Sequence, residues 1–272
     1  MVKINNKKLL VNNLSVFDLS TKDYNKLLNF TNNLKEFNKD SSLFADTTWK
    51  KWKEDYFVGF SNNKILINSG FIFPSNKKII ETQSNDYSLK KFFSYLKYLI
   101  KKRNLSIIND EKKLEKIFHK FYGKKYTDYL DPKFNNIYEK IKFDYPLQYY
   151  LALEMIILMN ETKDERINYN NILEIGPGRG ILALILFLNN NCSLVLIDVP
   201  EVLIITYLNL KIFLDGYDIF FPNEIEFKKN LEKRKIYLLT PSDLNKLPKN
   251  YFDLAINTSS FQEIDIEIVN YY

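Results

Sequence analysis

The sequence predicts an α/β protein, with a parallel sheet over residues 146–272 and a mainly helical region with short strands over residues 1–145. Two observations carry this. From residue 171 onward, short β-branched runs (NILEI, SLVLID, KIYLLT, FDLAIN) alternate with longer helical runs (ILALILFLNN, VLIITYLNLKIFLD), the pattern of parallel strands joined by crossovers. The first strand run also ends in the loop GPGRG, whose glycines at every second position let a strand turn sharply into a helix.

Residues 23–37 (DYNKLLNFTNNLKEF) and 89–102 (LKKFFSYLKYLIKK) repeat apolar residues at three- and four-residue spacing, which predicts amphipathic helices. Between them KILINSGFIFPSNKKII reads as short strands, broken at Gly70 and at Pro74-Ser75-Asn76. A third helix over residues 111–122 stops at Gly123, a residue suited to a left-handed C-terminal cap. His119 stands beside its Leu114, Ile117, Phe118, Phe121 stripe and so belongs on the solvent side. Pro146 opens a packed helix, PLQYYLALEMIILMN, whose Tyr149 and Tyr150 either join the core or line a pocket. A polar break over residues 161–171 separates it from the alternating region.

Composition narrows the classes. A chain of 272 residues with 46% hydrophobic and 15% aromatic residues has the means to bury a core, which argues against disorder. Its longest apolar run, residues 181–188, is far shorter than the roughly 20 residues that cross a bilayer. The lysines at the N-terminus have no apolar stretch behind them, so no secretory signal is read there and the cytoplasm is the expected location. One cysteine, Cys192, and one histidine, His119, make neither an internal disulfide nor a Cys/His metal cluster, and no metal is expected. The net charge of +6 comes from lysines spread along the chain. No basic stripe is interleaved with aromatics, so nothing points to nucleic acid.

Gly176, Gly178 and Gly180 then raise the question of what the loop holds. A dinucleotide fingerprint, G-x-G-x-x-G, requires glycine where Ile181 stands, and no Gly-Lys-Ser/Thr follows for a P-loop. The neighbouring carboxylates suggest a ligand without phosphate. Glu174 lies two residues before the first glycine, and Asp198 ends the second strand, where a carboxylate can take ribose hydroxyls.

With LTPSDL after the third strand and DLNKLPKNYFDLAINTSS leading through the fourth, these residues resemble the class I S-adenosylmethionine-dependent methyltransferases. More specifically, LEIGPGRG, LIDVPEV, FDLAINTSSFQEID and the closing YY are similar to the sugar O-methyltransferase family, which carries EIG-G-G, DLPE and INT-S-QEM blocks. Val199 in place of Leu and Ile264 in place of Met depart from it. The resemblance covers residues 171–272 and does not extend to residues 1–145.

It implies a Rossmann-like sheet in the order 3-2-1-4-5-7-6, S-adenosyl-L-methionine as cofactor, and a hydroxyl of a sugar, nucleotide sugar or glycan precursor as acceptor. It further implies that Glu174 and the amides of Gly176, Gly178 and Gly180 hold the methionine part of the cofactor, and Asp198 its ribose. Ser242 and Asp243 would lie near the adenine, while Asn257 and Thr258 close the site. Glu263 is the first candidate for a general base, although Ser260 to Glu263 equally fits the S-x-x-E capping box. Asp265 and His119 are weaker substitutes.

The chain ends before strands 5, 7 and 6 of that order, so the resemblance implies a truncated methyltransferase whose fourth strand is an edge open to self-association. Alternatively, strands around residues 64–80 cover that edge. Two other functions stay open beside the sugar O-methyltransferase: a catalytically inactive protein that binds a cofactor or partner, and a methyltransferase for another small molecule.

Overall fold

A computed structural model describes residues 14–33, 56–68, 119, 125–162, 169–225, 231–258, 260–263 and 269. The chain divides into two compact units, one made of residues 1–80 and 164–272 and the other of residues 81–163. The grouping differs from a single boundary at residue 145, because the N-terminal elements share a core with the large sheet.

In the first unit, β1 (Leu14–Asp18), β2 (Phe57–Ser61) and β3 (Lys64–Asn68) form an antiparallel sheet in the order β1-β3-β2. Asn62 and Asn63 join β2 to β3 with φ of 49° and 57°. A two-residue hairpin turn of type I′ needs positive φ at both central positions, and asparagine tolerates it. α1 (Thr21–Asn32) begins at Ser20, whose hydroxyl oxygen accepts from the Asp23 amide at 3.1 Å. It starts two residues before the expected helix over 23–37, whose last residues lie outside the described ones.

Leu27 and Phe30 of α1 are fully buried. Phe30 stacks on Phe221 at 4.1 Å, and the Lys26 ammonium donates to the Ile219 carbonyl at 2.6 Å and pairs with Glu224 at 3.1 Å. This apolar contact, pinned by a desolvated ammonium, joins the N-terminal helix to the main core.

That core surrounds a five-stranded parallel sheet in the order β6-β7-β5-β4-β8. Its strands are β4 (Asn171–Ile175), β5 (Ser193–Ile197), β6 (Ile219–Phe220), β7 (Ile236–Leu239) and β8 (Leu254–Ile256). The four strands expected from the sequence stand as 3-2-1-4, with the two-residue β6 added outside the third. α4 (Ile181–Asn189) and α5 (Pro200–Phe213) are the crossover helices, and both are buried almost all round. Helices whose apolar residues run round nearly every face belong inside a core. On β4, Leu173 and Ile175 pack with Val195, Ile197, Tyr237 and Leu239 on one face of the sheet, so Glu174 points to the other.

Among the described residues β8 pairs only with β4, and β3 pairs with β1 and β2 instead of covering it. Residues 69–80 lie outside the described ones.

In the second unit, α2 (Asn135–Asp144) and α3 (Pro146–Thr162) bury Tyr138, Ile141, Tyr149, Leu153, Ile156 and Ile157. Tyr149 and Tyr150 are both buried and meet edge to face at 5.5 Å. His119 is exposed, as its place beside the apolar stripe predicts. The expected helix over 89–102, and all of that over 111–122 except His119, fall outside the described residues. No helix among the described residues is long and apolar enough to cross a membrane.

Candidate functional site

Every strand of a parallel sheet delivers its following loop to the same end, and the order changes direction beside β4, the first strand. Open α/β sheets bind ligands at such a point. The loop after β4 is held there by backbone: the Gly176 amide donates to the Ile197 carbonyl of β5 at 2.8 Å, and the Gly180 amide to the Pro177 carbonyl at 2.8 Å.

All three glycines are left-handed, with φ of 72°, 54° and 72°, yet their surroundings differ. A β-carbon at Gly176 would overlap Cβ and Oγ of Ser260, and one at Gly180 would come within 2.9 Å of Thr206 Cγ2. Among the described residues, a β-carbon at Gly178 meets nothing within 4 Å. The outer glycines therefore serve packing, and the middle one faces open space.

Two carboxylates stand beside this loop. Glu174 is 2% exposed, and its Oε2 has no hydrogen-bond partner among the described residues. It lies opposite Leu196 in the β4–β5 register, so Asp198, two residues further on, faces the same side. Burial first, and the charge of Asp198 second, push the Glu174 carboxyl up to about 8. Asp198 is held by backbone amides: Oδ2 accepts from Gly178 at 3.3 Å and Oδ1 from Val199 at 2.8 Å. The second carboxylate thus braces the glycine whose far side is open.

At the end of β8, the Asn257 amide donates to the Ile175 carbonyl at 2.9 Å and to the Ser260 hydroxyl, while its oxygen accepts from the Phe261 amide at 3.3 Å. Ser260 in turn donates to the Ile175 carbonyl at 3.1 Å. Asn257 therefore latches the turn after β8 onto the end of β4. Thr258 beside it is exposed. Glu263 ends the 3-10 turn Ser260–Glu263, but its side chain, like Asp265, lies outside the described residues.

Asp243 is fully buried in a local network beyond β7. Its Oδ2 accepts from the Thr240 amide at 3.0 Å and from the Thr240 hydroxyl at 2.6 Å, and Oδ1 from the Lys246 ammonium at 2.6 Å. That is a helix-capping arrangement for the 3-10 turn Pro241–Lys246. Ser242 is half-buried, with its hydroxyl 2.9 Å from that of Thr240. Asp243→Asn is expected to cost about 1–2 kcal/mol of stability, through weakened charge-assisted bonds, in urea denaturation. A neutral outcome would mean that the network does not hold the turn.

Two further residues escape a motif-based reading. The Thr206 hydroxyl donates to the Gly178 carbonyl at 2.6 Å, and the Asn209 amide to the Arg179 carbonyl at 3.2 Å. Both side chains are buried on α5 and fix the loop from below. The signal was present: polar residues three apart inside the apolar run VLIITYLNLKIF must find buried partners.

Groups of His, Cys, Asp and Glu able to hold a metal ion are absent among the described residues. No protein-family model, curated protein or solved structure matches the chain.

Proposed function

We propose that the chain is an S-adenosylmethionine-dependent methyltransferase acting on a hydroxyl of a sugar or glycan precursor. The observation that supports this most is the pair of carboxylates at the glycine loop. Glu174 keeps a buried oxygen without a partner among the described residues, while Asp198 braces Gly178 beside open space. A buried acid of this kind favours a ligand that brings positive charge, since an uncompensated charge there is costly. S-adenosylmethionine brings an ammonium and a sulfonium. A dinucleotide would bring its phosphates towards two acids, an unfavourable match.

When bound, this cofactor supplies an activated methyl group. The chain's own residues then bind and orient. Glu174 holds the ammonium of the amino-acid end, without the amides of Gly176, Gly178 and Gly180, which already donate to Ile197, Asp198 and Pro177; Asp198 takes the ribose hydroxyls, and Ser242 lies on the adenine side. Asn257 and Thr258 close the site, and the latch between Asn257, Ser260 and Ile175 keeps the turn after β8 in place. In-line transfer to an oxygen needs alignment above all, and holding the acceptor in register supplies most of the acceleration. Glu263, at the end of the latched turn, is the residue we assign to removal of the acceptor proton.

Release of S-adenosylhomocysteine during incubation with a panel of nucleotide sugars tests the activity. Binding without turnover would leave a cofactor-binding protein. Calorimetry tests the cofactor: Asp198→Ala is expected to weaken S-adenosylhomocysteine by about 1–3 kcal/mol through lost charge-assisted hydrogen bonds. Tight NAD binding with no response to S-adenosylhomocysteine would end the methyltransferase reading.

A further inference from the structure

We infer that Glu174 stands as the neutral acid in the ligand-free site, and that a cationic ligand drives its proton out, so that binding releases a proton and affinity rises with pH. This rests on the proposed function for the nature of the ligand. It is independent of which acceptor is methylated.

The geometry carries the argument. Glu174 is 2% exposed, Oε2 has no hydrogen-bond partner among the described residues, and the charged side chain on the same face of the neighbouring strand is another acid, Asp198. Among the described residues, the remaining elements around it offer little to compensate an anion. β8 and α4 contain no titratable side chain. On α5, Tyr207 donates to Asp23, and Lys211 pairs with the same carboxylate at 3.6 Å. Glu201, at the start of that helix, is itself acidic, and the loop contributes Arg179. Among these groups Asp198 is the one whose charge acts on Glu174, and it raises the carboxyl in the same direction as burial. An isolated anion is therefore disfavoured until a positive charge arrives.

On binding, the O–H bond of the carboxylic acid breaks, the electron pair stays on the carboxylate and the proton passes to solvent buffer. The carboxylate is then neutralised by the ligand's ammonium. The cost of ionising a buried acid thus becomes part of the affinity, and it shrinks as pH rises.

The test is titration calorimetry of the full chain with S-adenosylhomocysteine, in buffers of small and large ionisation enthalpy. About one proton per ligand should be released near pH 7, read from the slope of observed against buffer enthalpy. The dissociation constant should fall about tenfold per pH unit between about pH 5.5 and about pH 7, below the range in which the ligand's own amine titrates. Glu174→Gln should abolish both dependences if it still binds. If it does not, the wild-type slope alone decides. Binding whose enthalpy ignores the buffer and whose affinity is flat with pH would overturn this inference and leave the cofactor reading standing. No binding heat at any pH would overturn both.

Discussion

Gly176→Ala is expected to cost about 3–5 kcal/mol of stability, among the largest effects of any single methyl group in this chain. Two costs add. At φ of 72° an alanine sits in the left-handed region, a penalty of about 1–2 kcal/mol. The new β-carbon would also overlap Cβ and Oγ of Ser260, which cannot simply swing aside. Ser260 donates to the Ile175 carbonyl and accepts from Asn257, so the turn after β8 would have to lift off β4 as a whole. Gly178→Ala is the control. It carries a similar backbone penalty and meets nothing among the described residues, so about 1–2 kcal/mol is expected.

The steric part can be isolated with a double-mutant cycle. Ser260→Gly alone should cost about 1 kcal/mol for its hydrogen bonds, while Gly176→Ala with Ser260→Gly should recover about 2 kcal/mol of the combined loss. Strictly additive costs in urea denaturation would show that the two residues do not meet.

The contrast between these glycines marks where sequence reading stops. LEIGPGRG is legible as a strand, a tight loop and a helix, because three glycines after a β-branched run leave few alternatives. Which of them packs and which is left open depends on what the loop meets in space. Ser260 approaches from 84 positions further along the chain, and Thr206 from the next crossover helix. No local pattern encodes those approaches.

The sheet follows the same division. β4, β5, β7 and β8 are legible as apolar runs, the first three of them separated by buried helices. β6 is two residues long and exists only because the chain passes beside β7. β1 and β2 are short strands, and they escape notice although Asn62-Asn63 carries a readable hairpin signal. α2 escapes as well: its buried Tyr138 and Ile141 are too few to impose a period on NNIYEKIKFD. The grouping of α1 with the main core rests on Phe30 meeting Phe221, a contact between residues far apart in sequence.

Glu174→Gln is expected to make the protein more stable at alkaline pH, an unusual result for a substitution of a buried side chain. The Glu174 carboxyl is pushed up to about 8 from 4.5 by burial and by Asp198. Below the unfolded value, folded and unfolded chains both carry the proton, and the favourable neutral state is fully present. As pH rises from there, the unfolded chain ionises first while the folded one holds its proton, so stability falls steadily until the folded group titrates as well. Above about 8 both are ionised, and the loss is complete at roughly 3–5 kcal/mol. Glutamine has nearly the shape of the neutral acid and no proton to lose, so the variant should lack this decline and exceed the wild type most above about pH 8. Urea denaturation of the ligand-free chains at several pH values gives the comparison directly. Parallel pH profiles for the two proteins would mean that Glu174 ionises as an ordinary surface acid does. The buried oxygen, without a partner among the described residues, would then have found a counter-charge, and the proposed preference for a cation would lose its physical basis.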